Sequence, residues 1–279
     1  MRHGIRTVGL LHPGEMGTAV GAALRGGGVE VLWASEGRTP ATRTRAARDG
    51  LTDAGTIAQL VEQSDVIFSV CPPHAALDVA RAVAAQHFDG TFVDVNAVAP
   101  ATAREVAGVL APVVDGGIIG GPPRAAGATR LYLSGPGAGR IAALFAGSPL
   151  DAIVIEGNVG AASALKMAYA AWTKGTSALL IAIRALGAAE GVDDALLREW
   201  AISQPDLSNR SEGAVRGTAS KAWRFVGEMH EIADTFATAG LPDDFHRAAA
   251  EIYARMASFK DADHPPTLDE VTAEIRRDT

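Results

Sequence analysis

Two stretches of this chain carry residues whose type and spacing suit chemistry. In Val8-Gly9-Leu10-Leu11-His12-Pro13-Gly14-Glu15-Met16-Gly17, a Gly-containing turn follows an apolar run and opens a run with helical spacing. That is where a dinucleotide-binding turn belongs. Gly14 lets the backbone approach a pyrophosphate, Gly17 lets helix and strand pack closely, and the free N–H groups of the helix N-terminus face the phosphates. His12 stands where the first Gly of the usual three would be; it either touches a cofactor or lines the turn. The second stretch is Ala161-Ala162-Ser163-Ala164-Leu165-Lys166-Met167-Ala168-Tyr169-Ala170. A lysine in such an apolar helix can move a proton at a substrate oxygen and stabilise negative charge developing there. Tyr169 and Thr173, at i+3 and i+7, share its face and offer hydroxyls. Lys174 lies further round, where it either binds a substrate anion or does nothing.

These groups need a scaffold, and the pattern supplies one. Strand-like runs at 6–11, 29–33, 66–70 and 92–95, with a strand start at 113–114, alternate with helical runs at 14–24, 41–48, 56–62, 75–85 and 101–109. Such alternation predicts crossover units and a parallel sheet. Later strands are expected at 130–133 and 153–155. From 161 to 187 the chain reads as one long helix without Pro, and the remainder reads as further helices. The expected fold is α/β: a Rossmann doubly wound, mainly parallel sheet, then an all-α C-terminal domain. The boundary falls near Gly157, giving a dinucleotide-binding domain at 1–157 and a helical substrate and dimerisation domain at 158–279.

Composition narrows the function classes. The chain has 279 residues, with 25 Lys and Arg against 32 Asp and Glu, a net charge of −7. An acidic chain without a basic run is not built to neutralise nucleic-acid phosphates. Hydrophobic content of 48% excludes a disordered chain. No apolar run reaches the length of a membrane span. One Cys excludes an intramolecular disulfide and a multi-Cys zinc site, and no His/Asp/Glu cluster has metal-ligand spacing. Met1-Arg2-His3-Gly4 leads into a strand and Gly turn rather than a signal core. The expectation is a cytoplasmic protein acting on a small molecule, with no metal.

Ser35, at the end of the second strand, stands where an acidic residue usually holds a ribose 2′-OH. It leaves room for a 2′-phosphate, and Arg38, Arg43, Arg45 and Arg48 follow. Arginine suits phosphate by charge and forked donors, which favours NADP. Glu36 points to NAD instead, and Arg45 and Arg48 are as well read as a solvated helix face. Cys71, before Pro72-Pro73, reads as a buried or cofactor-adjacent residue rather than a nucleophile. Asn96 ends a strand on the side where ligands sit. His12, Pro13, Gly14, Glu15, Met16, Gly17, Ser35, Glu36, Arg38, Cys71, Pro72 and Asn96 are therefore the candidate cofactor residues.

The segments also resemble a known family. Leu11 to Gly17 is similar to the Gly-x-Gly-x-Met-Gly turn of the β-hydroxyacid dehydrogenases, which include 3-hydroxyisobutyrate and 6-phosphogluconate dehydrogenases. Asp94-Val95-Asn96-Ala97-Val98-Ala99-Pro100 resembles their Asp-x-Ser-Thr-x-x-Pro segment. Asp115-Gly116-Gly117-Ile118-Ile119-Gly120-Gly121 resembles their Asp-Ala-Pro-Val-Ser-Gly-Gly substrate loop. Gly160 to Ala170 resembles the helix that carries their catalytic Lys, and His230-Glu231-Ile232 lies where they have Lys-Asp-Leu. The resemblance implies a Rossmann domain, a helical second domain, an active site in the cleft between them, and dimers packed through the helical domain. It also implies hydride transfer between a nicotinamide and the carbon bearing a hydroxyl or carbonyl. Lys166 is then the general acid/base, joined by Tyr169, while Gly120, Gly121, Pro122, Thr173 and Lys174 meet the substrate. Ala170 replaces the family's Asn and Ile119 its Ser, which points to a shifted specificity. Arg124 is a candidate anion partner or solvated surface. An imine reductase and a non-catalytic NADP(H) sensor remain alternative readings.

Overall fold

The computed structural model describes residues 4–276. The Met1–His3 part of the leader reading lies outside the described residues. The chain forms two compact units, Met1–Met167 and Ala168–Thr279.

The first unit is built on one eight-stranded sheet. In chain order it runs β1 (Thr7–Leu11), α1 (Glu15–Gly26), β2 (Glu30–Trp33), α2 (Pro40–Arg48), β3 (Thr52–Asp53), α3 (Ile57–Gln63) and β4 (Val66–Ser69). There follow α4 (Ala76–Ala84), β5 (Thr91–Asp94), α5 (Pro100–Val109), β6 (Val113–Ile119), β7 (Thr129–Ser134), α6 (Ala138–Ala142) and β8 (Leu150–Val154). The strand order is β3-β2-β1-β4-β5-β6-β7-β8, parallel except where β7 turns back on β6. The order reverses about β1, with β2 on one side and β4 on the other, which is where ligands bind in such sheets.

Burial of both faces explains the nearly unbroken apolar strands. Along β4 the period of two sends Val66 and Phe68 to one core and Ile67 to the other. The first core takes Val20, Ala23 and Leu24 of α1 with Ile141 and Phe145. The second takes Leu60 and Val61 of α3, Ala80 and Val83 of α4, and Val106 of α5. A Thr56/Gln59 capping box starts α3.

The second unit is helical. α7 (Ala161–Ala189) begins in the first unit and runs into the second, which continues with α8 (Asp193–Ser203), α9 (Leu207–Thr218), α10 (Ala222–Thr238), α11 (Asp244–Arg255) and α12 (Leu268–Ile275). The Arg184 fork donates to both Asp193 carboxylate oxygens, at 2.7 and 2.8 Å, and to Ser211 Oγ at 2.9 Å. The pair is sheltered and geometrically complete, as a buried ion pair must be. Tyr253 donates its hydroxyl to the Lys174 carbonyl at 2.8 Å. Among the described residues, no helix is long and apolar enough to cross a membrane and no metal-binding cluster of His, Cys, Asp or Glu occurs.

The structure corrects three local expectations. Asp115–Ile119, read as part of a substrate loop, is buried strand, and only Gly120 and Gly121 lie beyond it. The two-residue β3 and the short α6 went unanticipated, because neither is long enough to show a period. β8 begins at Leu150, three residues before the expected strand.

Candidate dinucleotide and proton-transfer site

The β1–α1 turn is shaped by what its glycines leave out. A Cβ on Gly17 would run into the His12 carbonyl oxygen, so only Gly lets α1 start this close to the turn. Gly14 is different. Its φ of −73° suits any residue, and a Cβ there would meet nothing within 4 Å. Neither backbone nor packing demands Gly at this position, so the open space in front of it is the feature to explain. Gly14 is also the N-cap of α1, and no side chain caps that helix. Helix N-termini left uncapped by side chains are ready sites for phosphate. Pro13 is buried, Met16 packs against the first core, and exposed Glu15 lies 3.8 Å from Arg45.

At the end of β2, Ser35 is buried and its carbonyl accepts from the Arg43 guanidinium at 2.9 Å and the Arg38 N–H at 3.1 Å. Gly37, at φ +68°, closes this turn in the left-handed region that favours Gly. Glu36 is exposed. Arg38 reaches back to the first turn, with Nη2 3.0 Å from His12 Nε2. Burial, and secondarily the Arg38 charge, push the His12 pKa down to about 4. The imidazole is therefore neutral near pH 7, Nε2 is the acceptor for Arg38, and the proton sits on Nδ1. That Nδ1 is buried without a protein partner.

Beyond β4 and β5 the candidates are held by one another. Asn96 is 3% exposed; its Oδ1 accepts from Cys71 N–H at 2.6 Å, and its Nδ2 donates to Ser69 Oγ at 2.9 Å. Asn96 thus ties the two strand ends together. Burial pushes the Cys71 thiol up to about 11, so it stays protonated and is no nucleophile. Pro72 is exposed beside it.

The seat of Lys166 is set by a residue that the sequence reading did not single out. Asp115 on β6 is 1% exposed. Its Oδ2 accepts from the N–H groups of Gly160 and Ser163 at 2.9 and 3.0 Å, and its Oδ1 accepts from Ser163 Oγ at 2.6 Å. Ser134 Oγ donates to the same carboxylate at 3.2 Å and accepts from Ala162 N–H at 3.0 Å. A carboxylate thus holds the first turn of α7, where helix polarity favours negative charge. Gly117 completes the seat. A Cβ there would come within 2.7 Å of the Ala162 carbonyl oxygen and 2.9 Å of Lys166 Cβ. Lys166 therefore rises, half-buried, directly over the bare backbone of β6. A carboxylate inside the buried strand β6, directly after Val113 and Val114, was the available signal for Asp115.

The other candidates are dispersed. Gly120, Gly121 and Pro122 are exposed, and the Gly121 carbonyl accepts from Thr129 Oγ1 at 2.6 Å. Arg124 lies 3.4 Å from Asp49, so a carboxylate already occupies this candidate anion partner. Within the second unit Tyr169 is 44% exposed. Thr173 Oγ1 donates back along the helix to the Tyr169 carbonyl at 3.2 Å. Lys174 pairs with Glu228 at 2.9 Å, both largely sheltered, and lies 4.9 Å from the Phe225 ring centroid. The structure supplies Lys174 with a protein partner where the sequence left it with a substrate anion or nothing. His230 is exposed and Glu231 half-buried.

The open Gly14 and the uncapped helix fit a dinucleotide at this turn. Comparison with known proteins points the same way. Residues 7–145 match the family model described as the NAD binding domain of 6-phosphogluconate dehydrogenase. Residues 188–256 match a domain of unknown function, DUF1932. An uncharacterized 28.5 kDa protein of Methanothermus fervidus, encoded in the 7S RNA 5′ region, is 33% identical over 172 residues; the match takes in 61% of this chain and 66% of that relative's length, just under two thirds. Among solved structures, the conserved protein MTH1747 of unknown function, described as similar to 3-hydroxyacid dehydrogenases, is 28% identical with a TM-score of 0.70, covering 91% of this chain and 98% of that one. Mycobacterium tuberculosis 3-hydroxyisobutyrate dehydrogenase with L-serine shares the fold at 20% identity and a TM-score of 0.68, covering 98% of this chain and all of that one. With its Rossmann sheet, its Gly-containing β1–α1 turn and its Lys-bearing helix seated on β6, the chain is similar to the β-hydroxyacid dehydrogenases: its residues 7–145 match their NAD binding domain, and it shares the fold of 3-hydroxyisobutyrate dehydrogenase.

Proposed function

We propose that this protein is an NADP-dependent oxidoreductase acting on a small hydroxyl or carbonyl compound that carries an acidic group. The observation that carries the reading is the uncapped α1 N-terminus behind the open space at Gly14. Arg38 supports the phosphorylated cofactor over NAD, since a charge-assisted contact to a 2′-phosphate is worth about 1.5–3 kcal/mol, roughly tenfold to a hundredfold in affinity. Ser35, buried at the same turn, puts no carboxylate in the way. When bound, the cofactor supplies or takes the hydride.

The chain's own residues do the rest. Lys166 moves the proton at the substrate oxygen and steadies negative charge there. Asp115 and Gly117 fix where its stem starts. Gly120 and Gly121 offer backbone N–H groups to a carboxylate. Tyr169 follows Lys166 on the same face of α7 as a second hydroxyl donor. We take 1–157 as the dinucleotide-binding domain and 158–279 as the domain for substrate and dimerisation.

The family's dimer has support in α7. Leu165, Tyr169, Trp172, Leu179 and Leu186 are exposed, and their 4-3-7-7 spacing sets them in one stripe. Trp172 is 63% exposed. A second copy of the same helix presents the same stripe, so the face is self-complementary. Trp172→Glu is expected to shift the protein from dimer to monomer in sedimentation velocity; a wild type that sediments as a monomer contradicts the dimer.

NADPH oxidation measured against oxoacids, aldehydes and cyclic imines tests the activity. Turnover on the carbonyl compounds is expected. Turnover on imines alone would make the protein an imine reductase, and tight NADPH binding with no turnover would make it a sensor.

A further inference from the structure

Four arginines follow the end of β2, and their partners differ. Arg43 lies 3.7 Å from Asp53, Arg45 lies 3.8 Å from Glu15, and Arg48 lies 3.0 Å from Asp49. Each has a carboxylate to offset its charge. Arg38 has none among the described residues; it contacts the ring of His12, at 3.0 Å. A neutral ring accepts a hydrogen bond without cancelling the charge of the donor. Arg38 is thus held in place with its cation intact, which is the arrangement an incoming dianion needs. The other three would have to give up a carboxylate first.

We infer that His12 is a positioning residue for cofactor choice: through Nε2 it fixes the Arg38 guanidinium over the β1–α1 turn, ready for the 2′-phosphate of NADP, without itself meeting that phosphate. The inference rests on the NADP reading above and deepens it. Burial keeps the ring in the accepting form, with its pKa down at about 4. Backbone bonds hold the ring's own attachment: His12 N–H donates to the Val70 carbonyl at 3.2 Å, and the His12 carbonyl accepts from Gly14 N–H at 2.9 Å. An unrestrained Arg samples many rotamers, and ordering it on binding weakens affinity. A pinned Arg has lost that freedom beforehand. The β-hydroxyacid dehydrogenase pattern places Gly at this position, and Gly offers no acceptor to an arginine. The His-for-Gly exchange, which weakens the fingerprint on paper, therefore has a use.

Dissociation constants for NADPH and NADH, read by cofactor fluorescence, test this in the wild type, His12→Gly, His12→Gln, Arg38→Ala and the His12→Gly/Arg38→Ala double variant. His12→Gly is expected to weaken NADPH about fivefold to tenfold, the worth of one modest hydrogen bond, and to leave NADH unchanged. His12→Gln, whose side-chain carbonyl also accepts, is expected to recover most of the loss. In the Arg38→Ala background, His12→Gly is expected to add nothing. The inference is overturned if His12→Gly weakens NADPH and NADH alike, which marks a role in turn structure only. It is equally overturned if His12→Gly leaves the preference intact or tightens NADPH, which would mean that Arg38 must leave His12 to reach the ligand. A wild type that binds NADH as tightly as NADPH sinks the NADP reading itself, and this inference with it. Should His12→Gly not fold, as judged by thermal unfolding, His12→Ala replaces it with the same expectations.

Discussion

Replacing Lys166 with Ala is expected to lower kcat by about 100-fold to 10,000-fold, the usual worth of a positioned acid/base. NADPH affinity should stay within about threefold of wild type, because the dinucleotide turn lies on β1 and α1 rather than on α7. The fold should survive. Lys166 is half-buried, and Ala is the best helix former available. Steady-state kinetics on whichever carbonyl compound the wild type turns over, with fluorescence binding and thermal unfolding alongside, separates these effects. Wild-type turnover in a folded Lys166→Ala protein would remove Lys166 from the chemistry. The side chain's position argues for the large effect. Gly117 lacks a Cβ where that Cβ would crowd Lys166 Cβ, so helix and strand meet at this residue.

Asp115→Ala is expected to cost about 3–5 kcal/mol of folding stability, as losing a buried, hydrogen-bonded charge does. That is a large share of the roughly 5–15 kcal/mol that holds a typical domain. The substitution strands the N–H groups of Gly160 and Ser163 in the interior and leaves the hydroxyls of Ser134 and Ser163 without their acceptor. Hydroxyls can rotate to new partners; amides in the first turn of α7 cannot. Ser163→Ala should cost about 1 kcal/mol, since the carboxylate keeps its other donors. Urea unfolding at fixed pH gives both numbers. A loss below about 1 kcal/mol for Asp115→Ala would show that α7 is anchored by other means.

These two positions also show what could be read from the sequence. Lys166 was visible because a charge inside an Ala-rich run breaks a local pattern. Asp115 was quoted only as part of a resemblance. Its four donors come from Ser134, Gly160 and Ser163, far along the chain, and no local pattern marks them. Gly116 and Gly117 misled the reading for a related reason. In sequence, paired glycines next to more glycine signal a loop. In the fold they lie in buried β6, because Val95 crowds one and α7 the other. The β1–α1 turn was legible because everything it needs is contiguous: apolar strand, Gly14, Gly17 and helix. The apolar run at 66–70 was likewise legible as a strand, and the fold sends Val66 and Phe68 to one core and Ile67 to the other.

Charge partners were the least legible. Arg124 finds Asp49 and Lys174 finds Glu228 across long stretches of chain. Sequence alone left each of them between a ligand role and a surface role. The arginines after β2 were equally ambiguous until three of them met carboxylates and Arg38 met His12. Lys174 illustrates the energetic side: a sheltered ammonium 2.9 Å from a carboxylate gains little by exchanging it for a substrate anion.

The dinucleotide turn is the claim on which the rest depends, and Gly14 tests it most directly. A Cβ there meets no protein atom within 4 Å, and the backbone angle suits any residue. Gly14→Val should therefore fold with at most about 1 kcal/mol lost at the N-cap. Its branched side chain fills the space where the pyrophosphate would approach. Titration with NADPH, followed by cofactor fluorescence, is expected to show saturable binding to the wild type and at least a hundredfold weaker binding to Gly14→Val. Equal affinities in two well-folded proteins would mean that this turn holds no dinucleotide.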